Sequence, residues 1–212
     1  MRRLILWLIL ASAGHAAVVL DRMAVIVGKH VIKTSDIERD LRVTEFMNRE
    51  PLDLGSEAKR KSAERLIDQE ILRQEIVTGG YRRPADSEAE TLEQQIVKDR
   101  YRGSPVQLRA DLAKYGLTET QLRDQLLWQL TVLRFIDQRF RPGVVVTDEE
   151  ISAYYQQHLA ELRKEHPGAT LEALQAEIRR TLEGDRINQN FTEWLEQARK
   201  RSRIEYRQEA FG

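Results

Sequence analysis

The sequence predicts a mainly α fold: a multi-helix bundle or cradle with a small antiparallel β patch that joins an N-terminal hairpin to a C-terminal strand. Charged residues make up 32% of the 212 positions and aromatic residues only 7%, and the residues that dominate are strong helix formers. Helix start and stop signals divide most of the chain into segments. Short β-branched runs lie near the N-terminal end, and a short stretch of alternating apolar and polar residues lies near the C-terminal end.

The first residues, "MRRLILWLILASAGHAA", have the order of a secretory signal peptide: two arginines, a short apolar run and then small residues. We expect cleavage near Ala16 or Ala17, so that residues 1–16 are the signal peptide. The alternative is an uncleaved anchor at residues 4–20, a stretch at the short end of what spans a bilayer. Export predicts a periplasmic protein without a stable membrane anchor, in which residues 17–212 form a single domain.

The predicted β patch consists of a hairpin and one distant strand. In "MAVIVGKHVIKTSD", two β-branched runs flank Gly28-Lys29, and a pair led by Gly suits a tight turn because Gly tolerates a positive φ. A lone hairpin is marginal in water and needs a third strand or a helix. In "SRIEYR", Ile204 and Tyr206 alternate with polar residues. We therefore expect this strand to pair with the hairpin, so that residues 171–207 close the domain.

Seven helices are predicted between the hairpin and the last strand. Ser35, Thr118 and Thr147 are each followed three residues later by Glu or Gln, the pattern of a capping box. Gly and Pro mark the ends of the helices. In chain order they run from Ser35 to about Asn48, from about Ser56 to Gly79-Gly80, from Asp86 or Ser87 to about Tyr101, from Ser104-Pro105 to Gly116, from Thr118 to about Phe140, from Thr147 through "DEEISAYYQQHLAEL", and from about Leu171 to Arg201.

Two of these helices carry broad apolar surfaces. The helix after Thr118 has two adjacent apolar stripes, so we expect neighbours to enclose it as the central core helix. In the last helix, Ile178 and Trp194 point in directions that differ by roughly 160° around the helix axis. That helix therefore either kinks at Gly184 or packs its two halves against different parts of the protein. The two stripes are Leu122, Leu126, Leu130, Leu133 and Phe140, and beside them Leu127, Trp128, Thr131, Val132 and Phe135.

Residue types and their spacing argue against catalysis. The chain has no Cys, which excludes disulfides, thiolate chemistry and Cys-based zinc sites. His158 and His166 do not have the spacing of an H-E-x-x-H zinc helix, and the sequence contains no nucleophile elbow or phosphate-binding glycine loop. The formal net charge is zero, which argues against nucleic acid as a partner. We expect no catalytic residue, cofactor or metal.

The order of several motifs indicates a family. "LDRMAVIVGKHVIKTSDIERDL" is followed by "AERLIDQEILRQEI", and then by "KYGLTETQLRDQLLWQLTVLRFI", "VTDEEISAYYQQH" and "FTEWLEQARKRSRIEY". Together they cover most of residues 20–207 and resemble the N-terminal chaperone domain of SurA and its relatives, periplasmic folding factors with parvulin-type prolyl isomerase domains. The positions that match the first two motifs of the family are Asp21, Met23, Val25, Val27, Ile32, Ser35, Asp36 and Ile37, then Leu66, Ile67, Asp68, Ile71, Leu72 and Glu75.

The resemblance implies an exported, ATP-independent chaperone whose partners are unfolded envelope and outer-membrane proteins. One departure matters: SurA-like chains continue into an isomerase domain after the "AYYQQH" helix, whereas residues 159–170 are only a polar link here. The resemblance therefore implies a chaperone without prolyl isomerase activity. A structural or adaptor subunit that docks one envelope partner is the alternative, and a parvulin-related prolyl isomerase is the third interpretation.

Such a chaperone is expected to bind its clients in an apolar groove with a charged rim. Tyr presents a large face at low entropic cost, and Met adapts to varied partners. We assign Trp128, Phe135 and Trp194 to the structural core. The predicted client-binding residues are the apolar side chains that a core needs least: Phe46, Met47, Tyr81, Tyr101, Tyr115 and Tyr155.

Overall fold

The computed structural model describes residues 21–211 and shows the mainly α fold with a small antiparallel sheet that the sequence predicts. The predicted signal peptide at residues 1–16 lies outside the described residues. Within the described range, no helix has the length and apolar character needed to cross a membrane. The elements found there are β1 (Met23–Val27), β2 (His30–Lys33), α1 (Thr34–Asn48), α2 (Ser56–Thr78), α3 (Asp86–Tyr101), α4 (Pro105–Lys114), α5 (Glu119–Phe140), α6 (Asp148–Gln157), α7 (Leu159–Glu165), α8 (Leu171–Arg201) and β3 (Ile204–Tyr206).

The three strands form an antiparallel sheet in the order β2-β1-β3. A two-residue turn joins β1 to β2, and Gly28 adopts there the positive φ of 60° that such a turn requires. β3 pairs with the other side of β1, where Val27 lies opposite Ile204. The predicted pairing of the N-terminal hairpin with the C-terminal strand is therefore confirmed.

Helix α2 is buried on two sides. Ile67 is fully buried beneath the sheet, in a core that also contains Val25 and Phe211. Ile76, farther along the same helix, belongs to a different apolar cluster around Phe135 of α5. Because α2 serves two cores, its apolar residues cover more of its circumference than the single stripe of a surface helix.

Helix α8 runs unbroken for 31 residues and packs against three parts of the fold. Ile178 lies in a small cluster with α6. Trp194 packs against Phe135 of α5, with 5.5 Å between the ring centroids, and Ala198 lies beneath the sheet. Gly184 is inside the helix, so the two apolar faces serve different neighbours without a break in the helix.

The start of α1 differs from the expected capping box at Ser35. The helix begins at Thr34, and Asp36 accepts a hydrogen bond from the Lys33 N–H at 3.0 Å. The Ser35 hydroxyl instead donates to the Asp21 carboxylate at 2.6 Å, and this bond lowers the pKa of Asp21. The expectation fails because the chain enters the helix directly from β2, and Ser35 consequently ties α1 to the residues before the hairpin.

Two further expectations need correction. The predicted polar link at residues 159–170 contains a helix, α7, whose Leu162 packs on the cluster shared by α6 and α8. Leu133 belongs to an apolar stripe of α5 but is 64% exposed. Helix α5 is therefore not enclosed on all sides, because its neighbours leave part of its circumference open to solvent.

Candidate functional site

An open groove of about 920 Å³ is lined by β2, α1, α2 and α5, and we call it the β2–α5 groove. Its size lies toward the upper end of ordinary ligand pockets. The apolar residues that line it are Val31, Ile32, Val43, Leu66, Ile76, Val77, Leu127 and Trp128. The ionisable residues that line it are His30, Lys33, Asp36, Arg39, Asp40, Glu70, Arg73, Arg83 and Asp124.

Solvent can reach four of the apolar lining residues, Val31, Leu66, Val77 and Trp128, and we call these four the apolar strip. Val77, near the end of α2, is 74% exposed, and the side chains of Val31, Leu66 and Trp128 are only partly buried. Single exposed apolar residues are ordinary on protein surfaces, whereas a contiguous apolar patch marks a site of interaction. These four residues come from β2, α2 and α5 and line one recess, so they belong to one surface.

Trp128 of α5 is held in the groove by charged residues of α2. The guanidinium carbon of Arg73 lies 4.6 Å from the centroid of the indole ring, within the range of a cation–π contact. The Arg73 Nε is 3.7 Å from the carboxylate of Glu70. Glu70 is only 7% exposed and accepts a hydrogen bond from Gln74 at 2.8 Å. The buried carboxylate thus positions the guanidinium, and the guanidinium positions the indole.

A buried polar network fixes α1 against α2 at the wall of the groove. The Ser62 hydroxyl is 2.7 Å from the Asp40 carboxylate and 3.1 Å from the Ile37 carbonyl. A hydroxyl has one proton, so we assign it to the shorter, charge-assisted bond with Asp40. Arg65 donates to the same carboxylate oxygen from Nε at 3.1 Å and from Nη2 at 2.5 Å. The network holds Asp40, itself a lining residue, in one position.

The charges around the groove cancel. Four lining residues are Lys or Arg and four are Asp or Glu. They include two ion pairs, Arg39 with Asp36 at 2.5 Å and Arg73 with Glu70 at 3.7 Å. A rim of mixed sign stays hydrated but does not attract a strongly charged ligand. In the described part of the chain, no group of three or more His, Cys, Asp or Glu residues is placed to hold a metal ion.

None of the six predicted client-binding residues lines the β2–α5 groove. Phe46 is 3% exposed within the core formed by α1, α3, α4 and α5, so the expectation that it belongs to the surface is wrong. The other five are partly buried and pack on the apolar cores. Each of the four tyrosine hydroxyls has a partner: Tyr81 accepts from Arg139, and Tyr101, Tyr115 and Tyr155 donate to Asp111, to the Glu50 carbonyl and to the Ala169 carbonyl.

Sequence reasoning missed Trp128 and Val77 as groove residues. Trp128 lies on the second apolar stripe of α5, and helical periodicity does not separate a stripe packed on a neighbour from one that faces a recess. Val77 directly follows the buried Ile76, and consecutive residues of a helix point about 100° apart. An apolar residue beside the buried face, near the end of a helix, is the signal that could have indicated it.

Comparison with known proteins adds no family to this description. No family model matches the chain, and no curated protein matches it either. Its function therefore has to be inferred from the groove and from the motifs in the chain.

Proposed function

We propose that the protein is an exported, ATP-independent chaperone that binds unfolded envelope and outer-membrane proteins in the β2–α5 groove. The observation that carries the proposal is the apolar strip in an open groove, with Val77 74% exposed in it. A stable folded protein gains nothing from leaving such a strip in water, so the strip is best explained by a partner that covers it. The resemblance of the motifs to SurA-type chaperone domains supports the same function.

The surroundings of the strip suit reversible binding. The rim carries equal numbers of acidic and basic residues, which keeps a complex with an apolar segment hydrated. The strip is short, and each contact contributes little, so a client can dissociate and fold without ATP. A client with many apolar segments can rebind, which keeps it from aggregating while it remains unfolded.

We propose binding without prolyl isomerisation. Helix α7 and a short loop occupy residues 159–170, the place at which SurA-type chains continue into a parvulin domain. A proline-peptide isomerisation assay separates the two functions, and clear turnover would support the parvulin-related interpretation instead.

Suppression of aggregation tests the chaperone function. An unfolded outer-membrane β-barrel protein is diluted from denaturant, and light scattering is followed with and without a several-fold excess of the protein. We expect scattering to fall with the natural chain. Val77→Ser should weaken suppression, whereas Leu133→Ser, at a position that is 64% exposed but outside the groove, should not. Trp128→Ala should weaken client binding by about 2 kcal/mol, roughly thirtyfold, as expected for a central aromatic residue.

Two results would overturn the proposal. One is undiminished aggregation in the presence of the natural chain. The other is a combination of two observations: Val77→Ser suppresses aggregation as well as the natural chain does, and a pull-down recovers a single stoichiometric partner. The second result would favour the adaptor function, because an adaptor binds one folded surface and a chaperone binds a heterogeneous set of chains.

A further inference from the structure

The hydrogen bonds of the sheet show which side of β1 each residue faces. The Arg207 N–H donates to the Ala24 carbonyl at 2.8 Å, on the β3 side of β1. The Gly28 N–H donates to the Arg203 carbonyl, also at 2.8 Å and on the same side. Backbone groups of alternate residues in an antiparallel strand point to the same side. Ile26, midway between Ala24 and Gly28, therefore also directs its N–H and C=O toward β3.

It follows that Val31 of β2 directs its backbone groups away from the sheet. Val31 lies opposite Ile26, and since the backbone groups of Ile26 face β3, the two residues form a non-hydrogen-bonded pair. The next outward-facing N–H of β2, that of Lys33, already donates to Asp36. Among residues 21–211, β2 is an edge of the sheet, so Val31 presents a backbone donor and an acceptor at a free edge.

This free edge borders the β2–α5 groove. All four residues of β2 line the groove, and because successive side chains point to opposite faces, four consecutive lining residues place the groove along the edge of the strand. From the helices, Gln69 of α2 and Gln125 of α5 also line it, and a side-chain amide both donates and accepts hydrogen bonds. The groove therefore offers hydrogen bonds to a polypeptide backbone as well as apolar contacts to side chains.

We propose that β2 accepts one extended strand of the client, which exchanges both backbone hydrogen bonds with Val31 while alternate side chains enter the apolar strip. This inference rests on the proposed chaperone function and names the class of client segment. One face of the added strand meets Leu66 and Trp128 and the other meets water. The matching segments are near-neutral ones that alternate apolar and polar residues, as strands of outer-membrane barrels do.

A single extended strand suits this site better than a second folded copy of the chain. The edge of β2 lies in a recess with helices α2 and α5 on the other side. In another copy the same edge would lie in the same recess, which hinders direct pairing of the two edges. A single extended strand pairs at about 4.8 Å and enters the recess. The cancelling charges of the lining residues also favour a near-neutral peptide.

The test uses the purified protein and a peptide of about nine residues, the length of a barrel strand, in which Val or Tyr alternates with Thr or Ser. Amide hydrogen exchange measured by NMR should show that saturating peptide slows exchange at the Val31 N–H by about tenfold or more, while the Ile26 N–H is unchanged. Val31→Pro removes the N–H at an edge position that tolerates Pro, and Val31→Ala keeps it. We expect the peptide to bind Val31→Pro at least about fivefold more weakly than Val31→Ala.

Two N-methylated peptides make the test independent of how Val31→Pro folds. Methyl groups on the backbone nitrogens of one set of alternate residues should abolish binding, and methyl groups on the other set should not, because only one edge of the peptide pairs with β2. Equal binding of both peptides, or binding of the natural peptide without protection of the Val31 N–H, would overturn strand addition and leave groove binding intact. Absence of any peptide binding would instead count against the chaperone function. Sedimentation measures whether the free protein forms a dimer. A dimer that is abolished by Val31→Pro but not by Val31→Ala would identify a second copy as the occupant of the β2 edge and overturn the proposal.

Discussion

Replacing Ser62 by Ala removes one bond from the network that holds α1 against α2, and its effect on stability can be worked out from the structure. Ser62 is 0% exposed and donates at 2.7 Å to Asp40, whose side chain is 7% exposed. A hydrogen bond to a charged group contributes about 1.5–3 kcal/mol. Asp40 keeps both bonds from Arg65, so it is not left without partners, and a loss of about 2 kcal/mol is appropriate. The higher helix propensity of Ala restores about 0.5 kcal/mol.

We therefore expect Ser62→Ala to lower the free energy of unfolding by about 1.5 kcal/mol, and the Tm by about 3–6 °C for a domain of this size. Urea unfolding followed by circular dichroism gives the first quantity and calorimetry the second. The control is Ser152→Ala, at an exposed position of α6, which should leave stability unchanged or slightly raise it. A loss below about 0.5 kcal/mol for Ser62→Ala, the range of ordinary surface substitutions, would refute the role of this network.

Two other predictions concern the backbone and alkaline pH. Gly80 has a φ of 66°, and an added Cβ there would meet no other atom, so Gly80→Ala should lower the free energy of unfolding in urea by about 1 kcal/mol through backbone strain alone. Gly143 also lies in open space but has no positive φ, so Gly143→Ala should leave the free energy of unfolding unchanged. Equal effects of the two substitutions would contradict this reasoning. Burial, assisted by a carboxylate partner, raises the pKa of Tyr101 and of Tyr206 from 10.0 to about 12, so their contribution to stability is fully present below pH 10 and is lost as the pH rises toward 12. Because both phenols are partly solvated, we expect each to contribute about 1 kcal/mol or less to stability. Phenolate absorbance measures the two pKa values, and unfolding of Tyr101→Phe as a function of pH measures the contribution of Tyr101. If stability depended on pH identically in Tyr101→Phe and in the natural chain, the prediction would be contradicted.

Local signals in the sequence predict most of the fold because the physics of helix ends is local. Thr118 and Thr147 cap α5 and α6 with the expected capping boxes, and Ser104 with Pro105 starts α4. The pairing of distant strands was also predictable, because an isolated hairpin needs a partner and "SRIEYR" was the one available segment. The start of α1 was not predictable in this way, because the Ser35 hydroxyl bonds to Asp21 rather than to its own helix. The local spacing of residues does not reveal a contact between distant parts of the chain.

The groove was harder to predict because exposure depends on what a helix packs against. Phe46 and Trp128 are both large apolar side chains on helices, but α1 meets the core of α3, α4 and α5 at Phe46, while α5 meets the recess at Trp128. The tyrosines were predicted as surface residues because Tyr presents a large face to a partner at low entropic cost and because a core needs these side chains least. Those hydroxyls bond within the fold, as that of Tyr101 does to Asp111 at 2.7 Å, and such a bond lets a tyrosine pack against a core.

The pairing of the chain's ends and the open groove have a common structural cause. β1 has two edges, and β3 occupies one of them, so the free edge of the hairpin must belong to β2, on the side of the groove. The same C-terminal segment also positions the opposite wall, because Arg199 of α8 forms ion pairs with Glu64 and Asp68 of α2, and α2 carries Leu66 and Glu70 into the groove. Loss of the final helix and strand would therefore disturb both sides of the groove at once. For this reason client binding and global unfolding should respond together to changes in residues 199–206, whereas changes at Val77 should alter binding alone.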